Sequence, residues 1–393
     1  MLNEKMTALG KHRSVIREIF EYGSKRKAEI GAENVFDFSL GNPSISAPPV
    51  VKNTISKLLN EKDPVALHGY TSAPGDMDVR KAIAKDIHKR FGTEAVPSLV
   101  YMTCGAAASL TISLNALFNP GEEVILLAPF FPEYTVFAEQ AGAIVRIVKC
   151  SEDFQIDFDA LEQVINQRTK AIIINSPNNP SGAVLKEETI KKLAALLNEK
   201  SAMFDNAIYI IADEPYRELV YGDVNVPYIP NYYDHTVVCY SFSKSLSLPG
   251  ERIGYIFISP KAKNAQELFA AVCGAGRALG YVCAPSLLQY TVKECLGQTA
   301  DLSVYEENRK LLLDALTQYG YTAVKPDGAF YLFVKAPGTD ANAFCERAKK
   351  YELLLVPSDS FGVAGYVRIS YCVKTETILK ALPAFKQLMD EYR

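Results

Sequence analysis

The sequence predicts an α/β protein: a large, mostly parallel sheet covered by helices on both faces, joined to a smaller α+β part. Three observations carry this expectation. Short, nearly continuous apolar runs rich in Val, Ile and Leu recur between residues 99 and 258, as strands buried on both faces require. Helical spacings separate several of these runs, the clearest over 186–198. Beyond about residue 290 the alternation gives way to charged helical stretches interleaved with short strands.

Taken in order, residues 4–30 mix charges with Val15, Ile16, Ile19, Phe20 and Ile30, a spacing that predicts a helix lying on the body of the protein. Val35–Leu40 reads as a short strand stopped by Gly41-Asn42-Pro43. Residues 49–60 and 76–91 read as helices, the second with Asp76 and Asp78 in its first turn, where carboxylates complement the positive helix end. Between them lies the turn-rich stretch His68–Gly75, which carries one aromatic, Tyr70. The apolar strands are Leu99–Thr103, Val124–Ala128, Ala171–Asn175, Ile208–Ala212, Val237–Ser241 and Ile253–Ile258. In the C-terminal part, 300–319, 340–351 and 375–392 read as helices. Tyr321–Val324, Ala329–Val334, Leu353–Val356 and Tyr366–Ser370 read as extended segments.

Composition bounds the function. A chain of 393 residues, 48% of them hydrophobic, exceeds the size of a single core and predicts two packed domains. With 42 Lys and Arg against 45 Asp and Glu, no global field favours nucleic acid or an anionic membrane. The eight cysteines form no Cys-x-x-Cys pair, which points to reduced thiols and a cytoplasmic setting. Neither an apolar signal core nor a run of membrane-spanning length is present, so no membrane partner is expected. No metal site is expected either.

Chemistry gathers where the strands end, the edge at which open α/β sheets bind ligands. Val237–Ser241 delivers Ser241, Ser243 and Lys244 into a Ser-rich turn, and Arg252 opens the next apolar run. A lysine amine forms Schiff bases with carbonyls, while two hydroxyls and an arginine suit a phosphate. Pyridoxal phosphate carries both groups. An isolated Ser-x-Ser-Lys also describes an ordinary solvated turn, so the other strand ends decide. Leu99–Thr103 leads into the small residues Cys104–Ser109, including Ala106 and Ala107, which open a helix whose free N–H groups can receive a phosphate. Val124–Ala128 leads to Phe131, a face for a flat ring. Ala171–Asn175 leads to Asn179, a donor for a phenolate oxygen, and Ile208–Ala212 to Asp213 and Tyr216. A carboxylate against the pyridine nitrogen keeps it protonated and makes the ring an electron sink. Each residue alone also reads as a cap, a turn or core packing. Asn179, Asp213, Lys244 and Arg252, in that order at strand ends, together meet the polar demands of the cofactor.

These strings resemble the class I/II aminotransferases, pyridoxal-phosphate enzymes of fold type I related to aspartate aminotransferase, over nearly the whole chain. The most specific matches are Asn178-Asn179-Pro180-Ser181-Gly182, Asp213-Glu214-Pro215-Tyr216, and Ser241-Phe242-Ser243-Lys244 through Arg252-Ile253-Gly254-Tyr255. The resemblance implies that Lys244 forms the internal aldimine and shuttles the substrate α-proton. It implies that Asp213 pairs with the pyridine nitrogen, Asn179 and Tyr216 with the ring oxygen, and Phe131 with the ring face. The phosphate would lie against Ala106, Ala107, Ser241, Ser243 and Arg252, and Arg368, Gly41 and Asn179 would hold the substrate. It further implies a homodimer with shared active sites, in which Tyr70 reaches the partner's phosphate. Residues 47–290 would form the large cofactor domain, and 1–46 with 291–393 the small one.

Two departures from the family pattern stand out: Ala106-Ala107 where many relatives carry hydroxyls, and Phe131 in place of Trp or Tyr. Arg277 is a candidate for a second substrate carboxylate, or for a helix-surface ion pair. The function expected is amino transfer between an L-amino acid and a 2-oxo acid. The same residues admit C–S β-elimination or decarboxylation, because the cofactor supplies the electron sink. A non-catalytic effector-sensing module of this fold would carry a basic DNA-binding extension, which this sequence does not display.

Overall fold

The computed structural model describes residues 2–11 and 14–393. Its organising layer is a seven-stranded sheet of β1 (Val100–Thr103), β2 (Glu123–Ala128), β3 (Ile144–Lys149), β4 (Thr169–Asn175), β5 (Tyr209–Glu214), β6 (Thr236–Ser241) and β7 (Gly254–Ile258). The spatial order is β1-β7-β6-β5-β4-β2-β3. Every neighbouring pair is parallel except the two that involve β7. Side chains alternate between two cores. Ile172, Ile174 and Ile210 pack on one face with Val79, Ile83 and Leu193, whereas Ile173 and Ile211 pack on the other with Leu110, Ile112 and Val272. Both faces are dry, so the strands read as continuous apolar runs rather than alternating ones.

A second sheet of β8 (Thr322–Ala323), β9 (Tyr331–Lys335), β10 (Val356–Pro357) and β11 (Tyr366–Ser370) is antiparallel, in the order β10-β11-β9-β8. Helices Ser303–Gln318, Ala341–Ala348 and Thr375–Asp390 surround a third core that contains Leu312, Phe344 and Phe385. Phe36–Asp37 pairs with Leu353–Leu354, and Arg26 and Lys27 of the preceding helix reach Glu352 and Asp37 at 2.6 and 2.7 Å. The N-terminal segment therefore packs with the C-terminal part. The Ala300 N–H donates to the Ser245 carbonyl at 2.8 Å, tying the connection between the two parts to the turn that carries Lys244.

Six expected strands and most helices lie within a few residues of their predicted positions. Four differences have physical causes. The helix expected over 4–30 is two helices, Glu4–Lys11 and Val15–Ile30, and residues 12 and 13 between them lie outside the described residues. Edge strand β3 was not expected, because it buries little beyond Val148 and leaves Ile144 and Ile147 exposed. Leu353–Val356 divides between the two-residue pairing and β10, so its apolar run serves two sheets. Regular pairing within Val35–Leu40 is confined to Phe36–Asp37. Among the described residues, no helix is long and apolar enough to cross a membrane.

Gly254 starts β7 against the neighbouring backbone: a Cβ there would stand 2.3 Å from the Tyr240 carbonyl oxygen and 3.2 Å from Gly105 Cα. Gly250, in the turn before it, has nothing within 4 Å of the same position. Gly254→Ala should therefore lower stability by about 1–3 kcal/mol, the usual cost of overpacking. Urea unfolding should show this beside Gly250→Ala, which should leave the midpoint nearly unchanged.

Candidate active site

Because β2, β4, β5 and β6 run the same way, the residues just past their carboxyl ends gather along one edge of the sheet. There they line a cavity of about 270 Å³. Asp213, on central strand β5, is 5% exposed. Its Oδ2 accepts the Tyr134 hydroxyl and its Oδ1 has no partner. Burial pushes this carboxyl up to about 7, against the pull of the Tyr134 hydrogen bond. Its neighbour Glu214 is neutralised differently, by a buried ion pair with Arg217 whose remaining N–H groups donate to the Val226 and Pro227 carbonyls. The two adjacent acids are thus one structural pair and one open group.

From β4, Asn175 donates to the Asp213 carbonyl at 3.0 Å and accepts the Asn179 N–H at 2.7 Å, fixing the loop that presents Asn179. Arg368 on β11 donates from Nη1 to Asn179 Oδ1 at 3.0 Å, which commits the amide oxygen and leaves the amide N–H groups to donate. The guanidinium is 2% exposed, also donates to the Ser39 carbonyl, and carries an Nε without a partner. Tyr216, beyond β5, meets Tyr331 hydroxyl to hydroxyl at 2.9 Å. Phe131 lines the cavity and packs edge-on against Tyr134.

At the end of β6, Ser241 Oγ caps the short helix Phe242–Ser245 by accepting the Ser243 N–H at 3.1 Å, and bonds Ser243 Oγ at 2.7 Å. Lys244 Nζ donates to the Gly41 carbonyl at 2.6 Å. Burial lowers its amine to about 8, and the charges of Arg252 and Arg368 act in the same direction. Arg252 bonds the Pro249 carbonyl and Ser243 Oγ at 2.9 and 3.4 Å. Its guanidinium is seated by Gly105, whose φ is +87° and where a Cβ would lie 2.7 Å from Nη2. Helix Ala106–Leu117 opens beside it, so the first N–H groups of that helix, two hydroxyls and an arginine share one corner of the cavity.

The structure thus brings Gly41, Ala106, Ala107, Phe131 and Asn179 to one cavity with Asp213, Tyr216, Ser241, Ser243, Lys244, Arg252 and Arg368. Two expected residues lie elsewhere. Tyr70 is 91% exposed, and Arg277 is exposed in the last turn of helix Ala265–Ala278; neither lines this cavity. Tyr134, Asn175 and Tyr331 also belong here: the sequence does not single out Tyr134 and Asn175 as site residues, and Tyr331 reads there as one of several aromatics that line a pocket or, more simply, pack the core. The first two lie within or beside the strand-end strings, but their role depends on partners distant in sequence.

Pyridoxal phosphate fits this donor set. An N–H-rich basic corner suits the phosphate, an unpartnered buried carboxylate oxygen suits a protonated ring nitrogen, and an amine of lowered basicity suits the aldehyde. The family model described as aminotransferase class I and II matches residues 33–385. The chain belongs to this family. An aspartate aminotransferase of Thermotoga maritima is 32% identical over 384 residues, covering 95% of this chain and 97% of that one. An aromatic-amino-acid aminotransferase of Thermococcus litoralis is 27% identical, covering 96% of each. The crystal structure of an amino transferase from Eubacterium rectale is 56% identical with a TM-score of 0.97, covering 100% of this chain and 99% of that one. The aminotransferase is therefore a pyridoxal-phosphate enzyme that moves an amino group between an amino acid and a 2-oxo acid.

Tyr134 is the sole hydrogen-bond partner of the Asp213 carboxylate among the described residues, which generates a pH-dependent prediction. A carboxyl raised from 3.8 to about 7 on folding stabilises the folded state fully below the unfolded value, and that contribution is lost as pH rises through the folded one. Removing the Tyr134 hydroxyl raises the folded value further, so the loss deepens and extends to higher pH. In cofactor-free protein, Tyr134→Phe should destabilise by about 1–3 kcal/mol, more at pH 8 than at pH 6, as read from urea midpoints at the two values.

Proposed function

We propose that this aminotransferase holds its cofactor on Lys244 and uses the same amine to move the substrate's α-proton. The observation that carries this reading is the pairing, in one cavity, of a lysine amine lowered to about 8 with a buried aspartate oxygen that has no partner. Bound here, pyridoxal phosphate supplies an aldehyde carbon that takes up the amino group and a ring that draws electrons from the substrate's α-carbon. Asp213 holds a proton at the ring nitrogen, with Tyr134 fixing the carboxylate. Asn179 and Tyr216 donate to the phenolic oxygen. The helix start at Ala106 and Ala107, with Ser241, Ser243 and Arg252, binds the phosphate, and Phe131 covers the ring. Arg368 grips the substrate α-carboxylate beside Gly41, its unpartnered Nε being available for that bond. Lys244 Nζ then takes the α-proton from one carbon and returns it to another, a role that needs an amine neutral near the working pH.

The reading extends to assembly. A tyrosine that is 91% exposed and absent from its own cavity suits a homodimer in which Tyr70 completes the partner's phosphate site. We further infer that residues 47–290 form the large domain, and 1–46 with 291–393 the small one. All eight cysteines are free thiols, which supports a cytoplasmic setting.

The donors to test first are aspartate and aromatic amino acids, named for the relatives above. Cofactor-loaded protein should show a visible band that a productive donor converts to the pyridoxamine absorption. Lys244→Ala should lack that turnover, with a loss of at least about 10²–10⁴-fold. Release of ammonia and pyruvate without the pyridoxamine form would instead establish elimination. Because the neutral amine is the nucleophile, capture of added cofactor by the cofactor-free enzyme should accelerate as pH rises, with a midpoint near 8 in stopped-flow absorbance.

Shared sites make a separate prediction. Lys244→Ala and Tyr70→Ala subunits, each impaired alone, should regain activity when mixed and reassembled, because a hybrid dimer holds one intact site. No recovery in confirmed hybrids would place Tyr70 outside the partner's site.

A further inference from the structure

Tyr331 begins β9, outside every strand-end string that marks the cavity in the sequence. Its side chain nevertheless touches three parts of the site. The hydroxyl lies 2.9 Å from the Tyr216 hydroxyl. It also rests against Gly41, where a Cβ would stand only 1.9 Å from that oxygen. Its ring lies under the Arg368 guanidinium at 4.6 Å. Both tyrosines are buried, at 5% and 2% exposure, so neither hydroxyl is freely served by bulk water.

Counting hydrogens fixes the polarity of the pair. A phenolic hydroxyl has one hydrogen to donate. If Tyr216 donates its hydrogen to the cofactor's phenolic oxygen, as proposed above and on which this inference rests, it can only accept from Tyr331. The bonds then run in one direction, from Tyr331 to Tyr216 to the cofactor, and a donor that is itself hydrogen-bonded in this way donates more strongly.

We propose that Tyr331 is a positioning residue that polarises Tyr216 and thereby sets the acidity of the bound cofactor, with Gly41 required to leave room for its hydroxyl. A stronger donor on the phenolic oxygen lowers that oxygen's hold on the proton it shares with the neighbouring nitrogen. The relay thus keeps the pH midpoint of the visible band low, which favours the unprotonated form as pH rises. Tyr331 takes no proton from substrate and acts only through Tyr216.

The test is a spectroscopic pH titration of cofactor-loaded protein. Tyr331→Phe should raise the midpoint by about half a pH unit, and Tyr216→Phe should raise it further. In the Tyr216→Phe background the added Tyr331→Phe change should have no further effect, since the relay has lost its last member. Gly41→Ala, which displaces the hydroxyl without deleting it, should shift the midpoint in the same direction and serves where Tyr331→Phe does not fold. An unchanged midpoint in folded Tyr331→Phe, or an equal shift with and without Tyr216, overturns the relay while leaving the assignment of Lys244 intact. A wild-type protein with no Lys244-dependent band overturns that assignment, and the relay with it.

Discussion

The site depends on the placement of one carboxylate at the centre of a dry sheet. In the parallel ladder Asn175 stands opposite Asp213 and Asp213 opposite Cys239, so the acid is flanked on both sides by strands and is buried where it lines the cavity. A charge held there is costly without a partner. Tyr134 satisfies one oxygen and the other is left open, an unmet demand that supports the proposed pairing with a protonated ring nitrogen. Asn175 spends both ends of its amide on holding the Asp213 carbonyl and the Asn179 loop in place. The neighbouring Glu214 is closed off by Arg217, so the open acid has no competitor beside it.

The cations of the cavity are arranged in complementary fashion. Lys244, Arg252 and Arg368 share it, and the two arginines help to lower the lysine. Each arginine is held by acceptors that are neutral: carbonyls, a hydroxyl and an amide. Their charge is therefore not spent on internal carboxylates, which supports the proposed phosphate and substrate-carboxylate roles. The open carboxylate and the cations without internal carboxylates form the charge pattern that the proposed ligand would complement point by point.

Much of this was legible in the sequence because both signals are local. Strands buried on two faces are apolar at every position, and the residues that follow them are at the sheet's carboxyl edge by construction. Asn179, Asp213 and Lys244 after their strands, and Arg252 before the last, could therefore be read from position together with the cofactor chemistry that their side chains jointly serve. Edge strand β3 escaped because it lacks a buried face; Val35–Leu40 and Leu353–Val356 read as extended, but that two residues of each pair with one another is set by the tertiary fold. Tyr134 and Tyr331 escaped for a related reason: a tyrosine in an aromatic run reads as core until its hydroxyl is seen to reach a group 79 or 115 residues away. The hydroxyl is the functional part, and its target is not written next to it.

The double tether of Arg368 has a consequence for the entropy of recognition. An exposed arginine has several rotatable bonds to freeze when it grips an anion, at a cost of up to about 2 kcal/mol. Here Asn179 and the Ser39 carbonyl already hold the fork, beneath which lies the Tyr331 ring, before anything binds. The ordering cost falls on folding, when the strand bearing Arg368 is laid against the N-terminal segment. A substrate carboxylate bound as proposed would meet a rigid fork, so the protein would dictate its orientation and, through it, that of the bond to be broken at the α-carbon.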